Sequence, residues 1–334
     1  MNKLQKLLIL LTFACFLAVA LAVLAGLEAN NRVSEAKKAQ DLLANELSTS
    51  ALDSYRKKYV NAAESSINSA LSMFEDDLES APGLINNCHG IMHEVGFMAF
   101  ELEGFNTAMS RLNSLCNSGY IHGVLEGRLA SGKSLEDTEG LCGSISSDPF
   151  LTWQCYHGIG HGFMYANQND YTASLEQCLL LNDGANACAN GVYMELLEAE
   201  GSIHQSPLGS IGDAKEVCKS AKQDIKGGCY IYLPAFVLNI NDRDYIEAFN
   251  FCDELTEHES TCYSGVGSQL MKNNIANKDS IDTVCRATLS HHNDCLIGAV
   301  SLLINHYGSA QKAGEWCDEL TGDSIDICKQ RTST

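Results

Sequence analysis

The chain has 334 residues, a formal net charge of −20 and 45% hydrophobic residues, a composition too apolar for a disordered protein. The negative charge argues against nucleic acid as a partner, because phosphate contacts require a basic surface. It argues equally against binding to an anionic membrane surface.

The N-terminal segment is apolar. Two lysines precede 21 uncharged residues, 7–27, which are enough to cross a bilayer as a helix. Lysines on this side place the N-terminus in the cytoplasm, so we predict a signal-anchor transmembrane helix over residues 1–29. A cleavable signal peptide followed by secretion is the alternative, because Ala20 and Ala22 form a small-residue cleavage pattern. The anchor is favoured because the apolar run continues past that pattern.

Cysteine usage fits a location outside the cytoplasm. Fourteen of the fifteen cysteines follow the apolar segment. An even number of cysteines in an oxidising compartment favours disulfides over zinc binding or redox-active thiols. The sequence therefore predicts a disulfide-stabilised extracytoplasmic domain.

Residues 30–83 separate the apolar segment from the cysteine-rich region. They contain no cysteine and show the pattern of one or two amphipathic helices that end before Pro82. A dimeric coiled coil is an alternative for this segment, although its heptads are irregular. We expect a helical stalk or an N-terminal helical cap.

The remainder of the chain, residues 84–334, is repetitive. Segments 178–197, 252–271 and 285–304 each contain a cysteine, nine further residues, a second cysteine and then a glycine three residues later. The second cysteine recurs at positions 155, 188, 229, 262, 295 and 328. Each unit has the pattern of two helices, and a helix pair of this size cannot bury both of its faces alone. Stacked units can, so the pattern predicts an all-α, disulfide-stapled α/α solenoid of about seven helix pairs.

The repeats resemble the cysteine-rich Sel1-like repeat proteins of the TPR superfamily in cysteine placement and in a glycine pattern. Gly158, Gly191, Gly265 and Gly298 share one position, at which neighbouring helices could approach closely. The resemblance covers roughly residues 84–330. It implies the helical-repeat architecture and no particular function.

Two disulfide registers fit the cysteine spacing. The first joins the end of one helix pair to the start of the next: 142–155, 178–188, 218–229, 252–262, 285–295 and 317–328, with 88–116 as a separate pair. The second joins the two helices within a unit: 88–116, 155–178, 188–218, 229–252, 262–285 and 295–317. The family resemblance implies the second register, which strands Cys142 and Cys328. Pairing all fourteen cysteines favours the first.

Potential metal ligands occupy one repeat position in the first three units only. The residue before the shared glycine is a histidine in each of them, and a histidine or glutamate follows four residues later. These pairs are His89 and His93, His122 and Glu126, and His157 and His161. Residues four apart share one face of a helix, so each pair is a chelate for a transition metal. The later units keep the cysteine without these ligands, so the helix itself does not require them.

Three such chelates on adjacent helices would face the same concave side of a solenoid. We therefore predict a metal site within residues 84–168, holding one transition-metal ion or two ions bridged by Glu126. Histidine with carboxylate suits copper, zinc and iron. Glu94 and Glu195 lie one residue beyond the chelate position and could orient ligands, but solvent-exposed carboxylates explain them equally well, so they are left out of the predicted site.

The other five histidines follow no such pattern, and we expect them on the surface or in loops. They are His204, His258, His291, His292 and His306. No H-E-x-x-H or G-x-S-x-G motif occurs in the chain, so the sequence leaves enzymatic activity open.

Two classes of function fit these features. The first is a membrane-anchored extracytoplasmic metal-binding protein, acting as a metal-dependent enzyme or as a metal-handling protein. The second is an interaction scaffold whose concave face binds a protein partner, with a structural metal or none.

Overall fold

The protein is described here by a computed structural model that covers residues 3–43, 48–132, 141–145, 148–198 and 206–333. Within these ranges the regular structure consists of eighteen α-helices and several short 3-10 turns. The predicted all-α class is confirmed for this part of the chain.

Three helices precede the cysteine-rich region: α1 (Lys3–Leu43), α2 (Thr49–Ser65) and α3 (Ile67–Ser80). The stretch Phe13–Asp41 of α1 is long and apolar enough to cross a membrane, and its most apolar window has a mean hydropathy of 2.0 with no buried residue. Phe13 and Phe16 are 70% and 77% exposed. A core helix would bury such side chains, so this one has the properties of a membrane anchor or a signal sequence.

The last turns of α1 pack on the cysteine-rich region. Ala36 and Ala39 are 0% and 7% exposed, and α1 contacts helices that lie late in the chain. The backbone N–H of Tyr245 donates to Gln40 Oε1 at 3.0 Å. Helix α2 packs against α3 and against the first helix of the cysteine-rich region.

The cysteine-rich region alternates long and short helices. The long helices are α4 (Cys88–Glu103), α6 (Gly119–Ala130), α8 (Pro149–Ala166), α10 (Ala185–Leu197), α12 (Gln223–Ile240), α14 (Glu259–Lys272), α16 (His292–Tyr307) and α18 (Asp323–Thr332). The short helices are α5 (Phe105–Met109), α7 (Leu141–Ile145), α9 (Tyr171–Cys178), α11 (Ile211–Ser220), α13 (Tyr245–Asp253), α15 (Ile281–Cys285) and α17 (Ala310–Gly314). Each long helix packs against the next long helix, and each short helix packs against the long helix that follows it.

Several short helices begin at residues that cap their free N–H groups. Asp170 Oδ1 accepts from the backbone N–H groups of Thr172 and Ala173 at 3.1 Å each, and Asp244 makes the equivalent bonds at the start of α13. An N-terminal side-chain acceptor stabilises a helix by roughly 1 kcal/mol. These caps fix where the chain turns from a long helix into the next short one.

Seven disulfides link the units, and they follow the first of the two predicted registers. They are Cys88–Cys116, Cys142–Cys155, Cys178–Cys188, Cys218–Cys229, Cys252–Cys262, Cys285–Cys295 and Cys317–Cys328. The register implied by the family resemblance is wrong, because each short helix ends beside the start of the long helix that follows it. Cys15, in α1, is exposed and unpaired.

The shared glycine lets consecutive long helices touch through their backbones. A Cβ atom at Gly298 would overlap the carbonyl oxygen of Ser264, and one at Gly191 would overlap the carbonyl oxygen of His157. Because the obstructing atoms belong to backbone, no side chain could be accommodated without moving a whole helix. The expected close approach of neighbouring helices is confirmed at these positions.

Early and late units also touch each other. The backbone N–H of Ala276 donates to Asn86 Oδ1 at 3.3 Å, and Lys272, at the end of α14, forms an ion pair with Glu198, just after α10. These contacts join residues far apart in sequence, so the first units of the stack lie next to later ones.

The disulfide register predicts which cysteines of the chain remain unpaired and react as thiols. The full-length protein should show one reactive thiol, Cys15, when denatured without reductant. Substituting Cys155→Ser should add one alkylated thiol at Cys142, located by mass spectrometry of the labelled peptides. Labelling at Cys178 instead would mean that the helices are stapled within each unit.

Candidate metal centre

Five histidines and two glutamates meet where four consecutive long helices touch. Helix α4 carries His89 and His93, α6 carries His122 and Glu126, α8 carries His157 and His161, and α10 carries Glu195. Each side chain is buried, and none of these residues is more than 7% exposed. The structure thus brings all six predicted site residues into one cluster and adds a seventh.

Four of the imidazoles surround a common point. The ring centroids of His89, His93, His122 and His161 are 4.6–6.2 Å apart. One nitrogen from each ring lies within 4.8 Å of the others. Four imidazoles bound to one tetrahedral ion, with metal–nitrogen distances of ~2.0–2.1 Å, would place their centroids roughly 5 Å apart. The four rings have the spacing of a four-nitrogen metal site.

Each of these four rings has one nitrogen that lies next to a hydrogen-bond acceptor. The pairs are His89 Nδ1 with the Cys116 carbonyl at 2.8 Å, His93 Nδ1 with Glu126 at 2.9 Å, His122 Nε2 with Gln154 Oε1 at 3.1 Å, and His161 Nδ1 with Glu195. A ring nitrogen facing an acceptor donates its N–H, which puts the lone pair of a neutral imidazole on the opposite nitrogen. In this tautomer the lone pairs are on Nε2 of His89, His93 and His161, and on Nδ1 of His122.

The short distance between His89 and His93 bears on whether the two rings bind the same ion. Their Nε2 atoms are 3.1 Å apart. Because both Nδ1 atoms donate, two neutral rings would point lone pairs at each other, which is unfavourable unless a proton or a cation lies between them. Two ligand nitrogens of a tetrahedral ion are separated by ~3.3 Å when each bond is ~2.0–2.1 Å long. The separation therefore suits two ligands of one ion.

His157 differs from the other four. Among the described residues, neither of its ring nitrogens has a hydrogen-bond partner. Its ring lies 5.0 Å from that of His122 and 4.8 Å from that of His161, and it stacks on Trp153 at 4.9 Å. His157 is therefore beside the four-nitrogen group, next to two of its members.

Burial sets the charge of the cluster. It lowers the pKa of His89, His122 and His157 well below the usual range, and neighbouring imidazoles lower these pKa values further. These rings are neutral at pH 7, the form that binds metal ions. Glu126 and Glu195 bring negative charge into the same buried space, which requires nearby positive charge. One divalent cation would balance both carboxylates.

Two residues of the cluster were missed by the sequence analysis. Glu195 was set aside as an exposed carboxylate, but it is 5% exposed and is paired with His161. Glu94, at the equivalent repeat position of the first unit, instead pairs with Arg56 outside the cluster. Gln154, which is fully buried, gave no signal, because its contact with His122 joins two different helices.

The expectation that the remaining histidines lie at the surface or in loops is wrong for two of them. His292 and His306 are 7% and 3% exposed. His292 Nε2 lies 2.9 Å from Asp282 Oδ1 in a polar network between the last units. His258 and His291 stack on tyrosines, and His204 lies outside the described residues.

Comparisons with known proteins add nothing to this geometry. No protein-family model, no curated protein and no solved structure matches the chain. The functional argument therefore depends on the cluster itself.

The metal-free protein should lose stability as the pH falls from 7.5 to 5.5. Because the pKa values of His89, His122 and His157 lie below the ordinary ~6.5, the unfolded chain binds protons that the folded chain does not. Each such ring contributes up to about 1.4 kcal/mol per pH unit. Urea denaturation at several pH values measures the slope. His122→Gln should make it shallower, whereas Asn190→Gln, at the same repeat position in the fourth unit, removes no titratable group and should leave it unchanged. Equal slopes in all three proteins would contradict the neutral cluster.

Proposed function

We propose that the chain is an extracytoplasmic metal-handling protein that binds one transition-metal ion through Nε2 of His89, His93 and His161 and Nδ1 of His122. The observation that carries this proposal is that all four rings have an acceptor bonded to the nitrogen facing away from the centre. In metal sites such acceptors fix the tautomer and orientation of the ligand ring and strengthen its binding. The inward nitrogens thereby form a preorganised ligand set.

The two buried glutamates have a supporting role in this proposal. Glu126 and Glu195 orient His93 and His161, and their two negative charges balance a divalent ion held by neutral imidazoles. The sequence analysis expected Glu126 to bind metal directly and allowed two bridged ions. The hydrogen bond from His93 Nδ1 to Glu126 favours a single ion with the carboxylate outside the ligand set.

The ligand set favours holding an ion over catalysis with it. Four protein nitrogens complete a tetrahedral coordination sphere, whereas catalytic zinc sites keep one position for water or substrate. Side chains that are at most 7% exposed also leave a bulky substrate no access. Copper, zinc and iron all accept imidazole ligands, and we propose one of these three metals as the cofactor.

The proposal also covers the location of the protein, which is a membrane-anchored extracytoplasmic domain, and its solenoid architecture. Seven disulfides indicate an extracytoplasmic domain. We propose that α1 is retained as a single-pass anchor, because one continuous helix includes both the exposed apolar stretch and the turns around Ala36 and Ala39 that pack on the domain. The alternating helices and their staples support the α/α solenoid that the sequence predicts.

An interaction scaffold, the second class of function, would present accessible side chains on its concave face. The geometry of the histidine cluster has no use in such a scaffold, because a protein partner could not reach buried imidazoles. A chain that binds no metal would make the scaffold the better account of this fold.

Metal content tests the proposed function. The purified full-length protein should retain one Zn²⁺, Cu²⁺ or Fe²⁺ per chain after equilibrium dialysis, measured by plasma mass spectrometry. Replacing His93 and His161 together by glutamine should abolish retention. His306→Gln is the matched control, because His306 is a buried histidine whose ring contacts Tyr307. Retention should persist below the ordinary imidazole pKa of ~6.5, because burial keeps the rings neutral, and should be lost at lower pH as they take up protons. No bound metal, or equal loss in the control, would contradict the proposal.

The role of the outer carboxylates can be tested separately. Glu195→Gln should weaken metal binding by about 10–100-fold, because the amide orients His161 without supplying charge. Glu94→Gln is its counterpart at the same repeat position, where the carboxylate pairs with Arg56, and it should bind like the wild type. Competition against a chelator of known affinity at pH 7 measures both. An unchanged affinity in Glu195→Gln would show that the carboxylate does not support the site.

A further inference from the structure

We propose that His157 is the transfer ligand of this centre, the side chain through which a transition-metal ion enters and leaves the four-imidazole site. The inference rests on the proposed function and gives a separate role to the one histidine of the cluster that lies beside the four-nitrogen group.

His157 is buried without being held by hydrogen bonds. It is 1% exposed, and within the described part of the chain neither ring nitrogen has a partner. Leaving a buried polar atom without a hydrogen bond is unfavourable. The other four rings each have one nitrogen fixed by an acceptor. His157 alone has no acceptor that fixes its tautomer, so either of its nitrogens can carry the lone pair that binds an ion.

His157 lies between Trp153 and His161 along helix α8. Trp153, His157 and His161 are spaced four residues apart on α8, so they follow one another along a single face of the helix. Trp153 is partly exposed, whereas the two histidines are buried. The ring centroids follow in this order, 4.9 Å and then 4.8 Å apart. An ion that moved inward along this face of α8 would meet His157 before His161.

Ligand exchange explains why such a residue is needed. An ion bound by four imidazoles has a filled tetrahedral sphere, so it can leave only if its bonds are replaced one at a time. The ring of His157 lies next to those of His122 and His161, so its nitrogen can bind the ion as one of these two releases it. Only metal–nitrogen bonds form and break in this step, and no electron or proton needs to be transferred.

A fifth imidazole that only assists exchange has a defined kinetic signature. It speeds loading and release by the same factor, because both pass through the same intermediate, and it leaves the equilibrium affinity unchanged. A fifth permanent ligand would change the affinity, and a histidine that only fills space would change neither quantity.

The experiment compares the full-length wild type with His157→Phe, which keeps an aromatic ring against Trp153 and removes both nitrogens. Metal-free protein is loaded with Zn²⁺, and release to an excess of a chromogenic chelator is followed by stopped flow. We expect one ion per chain in both proteins, with loading and release at least tenfold slower in the variant. His306→Phe controls for replacing a buried histidine and should exchange at the wild-type rate. His157→Gln provides a second variant should the phenylalanine disturb folding.

The outcomes separate this inference from the proposed function. Unchanged exchange rates in both His157 variants would overturn the transfer role while leaving the metal site intact. Loss of the bound ion in these variants would also overturn it, since His157 would then be a ligand of the resident ion. A wild type that binds no Zn²⁺, Cu²⁺ or Fe²⁺ would instead remove the proposed function itself.

Discussion

The direct contact between the backbones of consecutive long helices is the constraint on which the rest of the structure depends. Glycine at one repeat position leaves room for the carbonyl of the preceding helix, as Gly123 does for His93 and Gly191 does for His157. Helices this close bring the side chains beside the glycine into a small shared volume. Ile297 occupies the repeat position that His89, His122 and His157 hold in the first three units, and it is 37% exposed. Burial of the histidines therefore arises from their convergence and is not a property of the repeat position alone.

That convergence explains the chemistry of the cluster. Imidazoles placed in a shared buried volume cannot all carry protons, because desolvation and mutual repulsion both favour the neutral form. Neutral rings are metal ligands, and Glu126 and Glu195 add the negative charge that a bound cation requires. A structure that only needed to fill this space could use apolar side chains, which would remove the desolvation penalty of the two carboxylates altogether.

Features that repeat along the chain could be predicted from the sequence, whereas features that depend on contacts between units could not. The regular spacing predicted the helical class, a set of cysteine pairs and the convergence of His89, His122 and His157. The spacing named Glu195 without separating it from a surface carboxylate, and it gave no signal for Gln154, because each bonds a histidine more than thirty residues away. The difference between His157 and its neighbours also depends on which ring nitrogen faces an acceptor, and residue spacing contains no such information.

The disulfides and the histidine cluster both suit an oxidising compartment. Thiolates bind copper and zinc strongly, so fourteen reduced cysteines would compete with imidazole for the same ions. Oxidation to seven disulfides removes these competing thiolates. Imidazole nitrogen is then the ligand left for these ions. The staples also hold the helices in place without metal, so an ion would bind to a site that already exists. Its binding energy would then not be consumed in folding the domain, as it is in small zinc-dependent folds. A preformed site can release its ion without unfolding, which is the property that a metal-handling protein requires.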